Sequence, residues 1–170
     1  LVRPTDHEFG RSRHYFGRHS SRNTVAQTMT FDPKQLNGIA LAYMGDAVYE
    51  VYIREHLLKR GLVRPASLQR AAKDFVSAKA QAALIAGMEE ANLLDSDETD
   101  IFKHGRNAKS YTHAKNTDVV TYRVSTGFEA LFGYLHLIGR DDRVAELAAW
   151  CIQYVEEGKT GHGKKAASNN

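Results

Sequence analysis

Asp46 and Glu129 are the residues of this 170-residue chain whose settings point most directly to chemistry. Each is the only formal charge in an apolar stretch, Asp46 between Ile39 and Tyr49 and Glu129 between Thr126 and Leu135. A carboxylate held away from water without a partner is costly, so something must compensate it. A hard divalent cation with oxygen ligands is one solution; access to solvent, or a distant Arg or Lys, is another. If the fold brings the two acids together, both cannot stay ionised unless a cation or a proton intervenes. Magnesium would meet that need while leaving coordination positions for water and a phosphate oxygen.

A second group of residues could hold such a phosphate. Lys103, Arg106, Lys109 and Lys115 fall within residues 103–115 with no acid among them. Arg106 can make a bidentate phosphate contact and Lys109 a point-charge contact. Asn107 and Ser110 can hydrogen-bond phosphate or 2′-hydroxyl oxygens. A merely solvated loop is the alternative. The net charge of +3 does not decide between them, because five arginines against Asp6 and Glu8 in residues 1–28 account for all of it. Attraction to nucleic acid must therefore be local. The eight histidines lack zinc-type spacing. The single cysteine, Cys151, excludes an internal disulfide framework and suits a reducing cytoplasm. No apolar run reaches the ~20 residues of a membrane span, so no membrane association is expected.

The elements that must position these residues read as helices throughout, giving an all-α fold. Asp32-Pro33 supplies a capping acid and a first-turn proline, and helical spacing of apolar residues runs on to Gly61. Glu50 and Arg54 are spaced for a surface ion pair. A second helical region runs from Arg64-Pro65 to Ala91, broken near Val76-Ser77. Asp95 and Glu98 resemble a capping box for a short helix ending near Lys103, and the acids from Glu89 to Asp100 read as solvated surface and helix-start charge. A basic loop from His104 to Asn116 follows, then a long helix over 117–138 and a last one over 141–157. The expected organisation is a leader over 1–28, a catalytic domain over 29–158 and a polar tail over 159–170.

The ordered set of segments resembles the ribonuclease III family, and within it the short form called Mini-ribonuclease III. Met44-Gly45-Asp46-Ala47-Val48 is similar to the family's Leu-Gly-Asp-Ala/Ser-Val core, and Phe128-Glu129-Ala130-Leu131-Phe132-Gly133 to its second acidic motif. Residues 105–110, Lys115-Asn116-Thr117-Asp118 and Thr121-Tyr122-Arg123 look like the short form specifically. Full-length members carry further acids where this chain has Ala42 and Thr126, and the short form agrees with this chain at both places.

The resemblance implies a ribonuclease III-like helical bundle and a metal-dependent endoribonuclease of double-stranded RNA. Asp46 and Glu129 would be the catalytic and metal-ligating residues, with Mg²⁺ as cofactor and Mn²⁺ as its substitute. The RNA-binding set would be Lys103, Arg106, Asn107, Lys109, Ser110 and Lys115. Cleavage would leave 5′-phosphate and 3′-hydroxyl ends, with large-subunit ribosomal RNA precursors as substrate and a ribosomal protein as helper. The active particle would be a homodimer in which Tyr43, beside Leu41 and Met44, is an aromatic knob on the partner. The competing expectation is a non-catalytic relative that binds RNA or assists ribosome assembly with the same fold.

Overall fold

The computed structural model describes residues 31–109 and 118–161; the expected leader, Ser110 and Lys115 fall outside them. Six α-helices make up the described part: α1 (Gly38–Lys59), α2 (Pro65–Val76), α3 (Ala78–Glu90), α4 (Ser96–Arg106), α5 (Val119–Leu137) and α6 (Asp141–Glu156). No strand occurs among the described residues, so the all-α expectation holds. α5 is central, with α1 and α4 as its main neighbours and α3 and α6 alongside.

Local chemistry sets most helix ends as expected. Ser77 ends α2 and starts α3, its hydroxyl accepting from the Ala80 amide at 3.2 Å. Asp95 and Glu98 form the reciprocal capping box of α4. Asp118 caps α5 through the Thr121 amide at 2.9 Å. Gly61 and Gly139 take positive φ values of 86° and 78° just past α1 and α5, where a left-handed residue ends a helix at least cost.

Two boundaries differ from the sequence reading. The first helix does not start at Pro33: Pro33–Gln35 is a 3-10 turn, Leu36 is extended, and the Asn37 side chain caps α1 through the Ala40 amide. α4 also runs to Arg106 and not just to Lys103. Gly105, within the expected loop, is helical and serves close packing. A Cβ there would lie 2.5 Å from the Ala130 Cβ and 2.9 Å from the Gly127 Cα, both on α5.

The core gathers around an aromatic trio from the two central helices. Tyr49 sits 4.9 Å from Phe128 and 5.0 Å from Phe132, centroid to centroid, spacings that suit edge-on and tilted ring pairs. The Tyr49 hydroxyl donates to the Phe75 carbonyl. From α6, Val144, Leu147, Ala148, Cys151 and Val155 are buried at helical spacing on one face, with Ile152 partly buried beside them. One member of the acid run departs from the solvated-surface expectation. Glu98 is buried and accepts from Arg143 Nε at 2.7 Å and Nη2 at 3.0 Å. The partner lies 45 residues away, beyond the reach of a spacing argument.

α1 and α5 cross with backbones in contact. A methyl group on Gly45 would overlap the Glu129 carbonyl oxygen, and one on Gly133 would overlap that of Leu41. Gly45→Ala should therefore force the helices apart, since backbone cannot yield as a side chain tip does. We expect a loss of about 3 kcal/mol or more in chemical denaturation, at the upper end for overpacked cores. A melting curve matching wild type would show that the crossing is not tight.

Candidate active site

The crossing decides where the two acids lie. Gly45 meets the backbone of Glu129 itself, and Asp46 is the next residue along α1, so the carboxylates come together although 83 residues separate them in sequence. The electrostatics of Glu129 agree with this placement. Burial, then the charge of Asp46, pushes the Glu129 carboxyl up to about 7. The Asp46 carboxyl is also raised, first by loss of water around it and then by Glu50, with Arg54 opposing. Asp46 nonetheless remains solvent-exposed and Glu129 is half-buried, so the pair is open to solvent on the Asp46 side. Glu50 is engaged by Arg54 one turn on, the surface ion pair its spacing predicts.

Two positions beside the pair carry no acid. Ala42 is buried, and the Thr126 hydroxyl donates to the Tyr122 carbonyl at 3.0 Å. Among the described residues no cluster of three or more His, Cys, Asp or Glu side chains could hold a metal. Two carboxylates still suit magnesium, which commonly binds through one or two carboxylates and retains several waters.

Sequence reasoning missed one component of the site. Gln81 of α3 is 1% exposed, and neither its amide nitrogen nor its oxygen has a hydrogen-bond partner of ordinary geometry. Its amide does act on Glu129, favouring the ionised carboxylate against the effect of burial. The signal was present: Gln81 occupies the first position of an apolar stripe continued by Leu84, Ile85 and Met88, all buried, where a leucine would ordinarily stand.

The basic residues divide between helix and loop. Lys103 and Arg106 lie one turn apart near the end of α4, while Asn107 and Lys109 follow it. Lys103, Asn107 and Lys109 are exposed. The Arg106 guanidinium lies 5.5 Å from the centre of the Phe102 ring, and its Nε donates to Asn107 Oδ1 at 3.3 Å. This turn is anchored against α5 by Gly105 at Gly127 and Ala130, beside Glu129. Among the described residues Tyr43 is 85% exposed, whereas Leu41, expected beside it at an interface, is fully buried. A cleft of about 560 Å³ between α1 and α2 is lined by Glu50, Arg54 and Leu58 among others, but contains neither Asp46 nor Glu129.

The helical fold and the acid pair across the α1–α5 crossing define the class: residues 39–140 match the Ribonuclease III domain family. The Mini-ribonuclease 3 of Enterococcus faecalis is 56% identical over 126 residues, covering 74% of this chain and 96% of that protein. That of Streptococcus pneumoniae is 55% identical over 125 residues, covering 74% of this chain and 98% of its own length. A crystal structure of a Fusobacterium nucleatum protein superposes with a TM-score of 0.61 at 27% identity, covering 71% of this chain and 94% of the other. The chain belongs to the ribonuclease III family, in its Mini-ribonuclease 3 group, and is an endoribonuclease.

The raised Glu129 carboxyl gives a pH-dependent expectation for the cation-free protein. A folded-state value of about 7 against an ordinary 4.5 means that the native state holds a proton the unfolded state has released. Stability should thus fall as pH rises through that window, by an amount on the order of 3 kcal/mol for this group alone. Glu129→Gln should flatten that fall, as read by thermal melts across the window in a chelating buffer. Identical pH profiles for the two proteins would remove Glu129 as the group responsible.

Proposed function

We propose that this endoribonuclease cuts double-stranded RNA with Asp46 and Glu129 as its catalytic residues and as ligands of Mg²⁺, for which Mn²⁺ can substitute. The observation that carries the reading is the meeting of two pKa-raised carboxylates across a glycine-lined helix crossing. Holding two such acids together is unfavourable in the empty protein, and a divalent cation removes the penalty. When bound, the cation lowers the pKa of water and stabilises charge on the phosphate during in-line displacement.

The chain's own residues do the remaining work. Glu129 must release its proton before it can act as a ligand, so cation binding and proton release are linked. Lys103, Arg106 and Lys109 hold backbone phosphates, with Asn107 supplying hydrogen bonds; Ser110 and Lys115 complete the set in our reading. Contacts of this kind suit duplex RNA, whose deep major groove is closed to side chains. In the reaction, water oxygen bonds to phosphorus and the bond to the 3′ oxygen breaks. The water's protons pass to solvent and to the departing oxygen, leaving a 5′-phosphate and a 3′-hydroxyl. No Ser, Cys or His nucleophile is required. The natural substrate we favour is a large-subunit ribosomal RNA precursor in the cytoplasm, with a ribosomal protein as helper. Asp46→Asn should keep duplex binding and melting temperature close to wild type while lowering cleavage of a long RNA duplex by roughly two orders of magnitude or more. Cleavage within a few-fold of wild type in magnesium would refute the role.

The active particle in this reading is a two-fold homodimer. α1 leaves Ile39, Tyr43, Val51 and Leu58 exposed, and these positions fall along one side of the helix, beside Asp46. Apolar surface left open next to a catalytic acid is well placed for a second copy, which would give two active sites for two RNA strands. A stable interface should bury more than about 1,000 Å², and Tyr43 would be its central anchor. Tyr43→Ala should shift the protein towards monomer in light scattering and depress cleavage in parallel. A wild-type protein that is fully active as a monomer would overturn the dimer.

A further inference from the structure

Four polar or charged side chains are buried among the described residues: Gln81, Glu98, Ser125 and Thr126. Glu98 pairs with Arg143, and the hydroxyls of Ser125 and Thr126 donate to the Tyr122 carbonyl. Gln81 alone keeps both polar atoms without a bond, and it is the most deeply buried of the four. Burying an unpaired amide is destabilising, and a methionine or leucine would continue the stripe of Leu84, Ile85 and Met88 without that penalty. The side chain is therefore poorly explained by packing.

Its position suggests another purpose. α3 packs on α5, the helix that carries Glu129, and Glu129 is the carboxyl on which the Gln81 amide acts. Asp46 approaches Glu129 from α1, so α3 and α1 supply different neighbours to the same group. An ionised carboxylate only accepts hydrogen bonds, so the amide must meet it through Nε2; a protonated carboxyl can instead donate to Oε1. A glutamine can thus serve both states by turning its amide. It brings no charge to compete with a cation, as a lysine or arginine would.

We propose that Gln81 is a positioning residue for Glu129, its Nε2 donating to the ionised carboxylate and holding it facing Asp46 for cation binding. This rests on the reading of Asp46 and Glu129 as cation ligands. Outer groups that orient a ligand typically change metal affinity or activity by about 10–100-fold when removed.

The test is Gln81→Met, which keeps the length of the side chain and removes the amide. The variant should melt close to wild type, because methionine fills the same place in the apolar stripe. Its half-saturation by Mn²⁺ without RNA, followed by electron paramagnetic resonance, should rise about tenfold. In cleavage assays kcat should fall while KM for the duplex stays near wild type. Wild-type Mn²⁺ affinity and kcat in Gln81→Met, beside lost Mn²⁺ binding in Glu129→Gln, would overturn the role of Gln81 and leave the acid pair standing. Unchanged Mn²⁺ binding in Glu129→Gln would overturn the acid pair itself, and this inference with it. A second measurement needs no change at Gln81. Its side-chain amide resonance in isotope-labelled protein should move in Glu129→Gln, and a resonance that stays in place would also overturn the proposal.

Discussion

The backbone contact between α1 and α5 is the constraint on which the rest of the molecule depends. Gly45 and Gly133 leave no room for a side chain between the helices, so the helices approach more closely than side chains ordinarily permit. That proximity has two results. It seals the aromatic trio of Tyr49, Phe128 and Phe132 into one core, and it puts the residue after Gly45 beside Glu129. Stability and site geometry are thus set by the same few atoms. A second glycine set, Gly38, Gly105 and Gly127, repeats the device where α4 meets α1 and α5, and so fixes the basic end of α4 relative to the helix that carries Glu129.

Around this crossing the protein tolerates features that a purely structural core would avoid. Glu129 loses water and gains a like-charged neighbour, so its ionised form is disfavoured in the folded state. Gln81 is buried without a partner of its own. The buried Glu98–Arg143 pair behaves differently, since its oxygens and guanidinium nitrogens satisfy one another and Arg143 also donates to the Leu93 carbonyl at 2.6 Å. A buried ion pair with all its bonds made can serve architecture alone. A buried polar group left unpaired calls for another explanation, and here it lies next to the acids of the site.

Much of this was legible in the chain itself. The capping box at Asp95 and Glu98, the break at Ser77 and the buried face of α6 follow from local spacing and end chemistry, which act over a single turn. The acid pair was visible because a charge in an apolar run is an anomaly in one dimension. Long-range partners were not: nothing local marks Arg143 as the mate of Glu98, or Gln81 as a neighbour of Glu129. Glycines misled in one place. Glycine often ends helices, and Gly105 falls in the stretch that reads as a loop, yet its missing side chain lets α4 reach α5. The same residue type at Gly61 and Gly139 does stop helices, and only the neighbours distinguish the two uses. Leu41 was similarly ambiguous, since an apolar residue beside an exposed Tyr43 can face either way on a helix.

The short acid set has an electrostatic consequence of its own. With Ala42 and Thr126 in place of further acids, Asp46 and Glu129 together carry at most two negative charges, which one divalent cation balances. Additional carboxylates at those positions would have to be buried against Ala130 and Tyr134 or beside the Tyr122 carbonyl, where ionisation is disfavoured without a second cation. The Thr126 hydroxyl instead returns its hydrogen bond to its own helix and asks for no counter-charge. In the proposed reaction, negative charge beyond the acid pair enters the site with the RNA phosphate. The cationic turn of Lys103 and Arg106, packed onto the next stretch of α5, is then the natural counterweight to that phosphate.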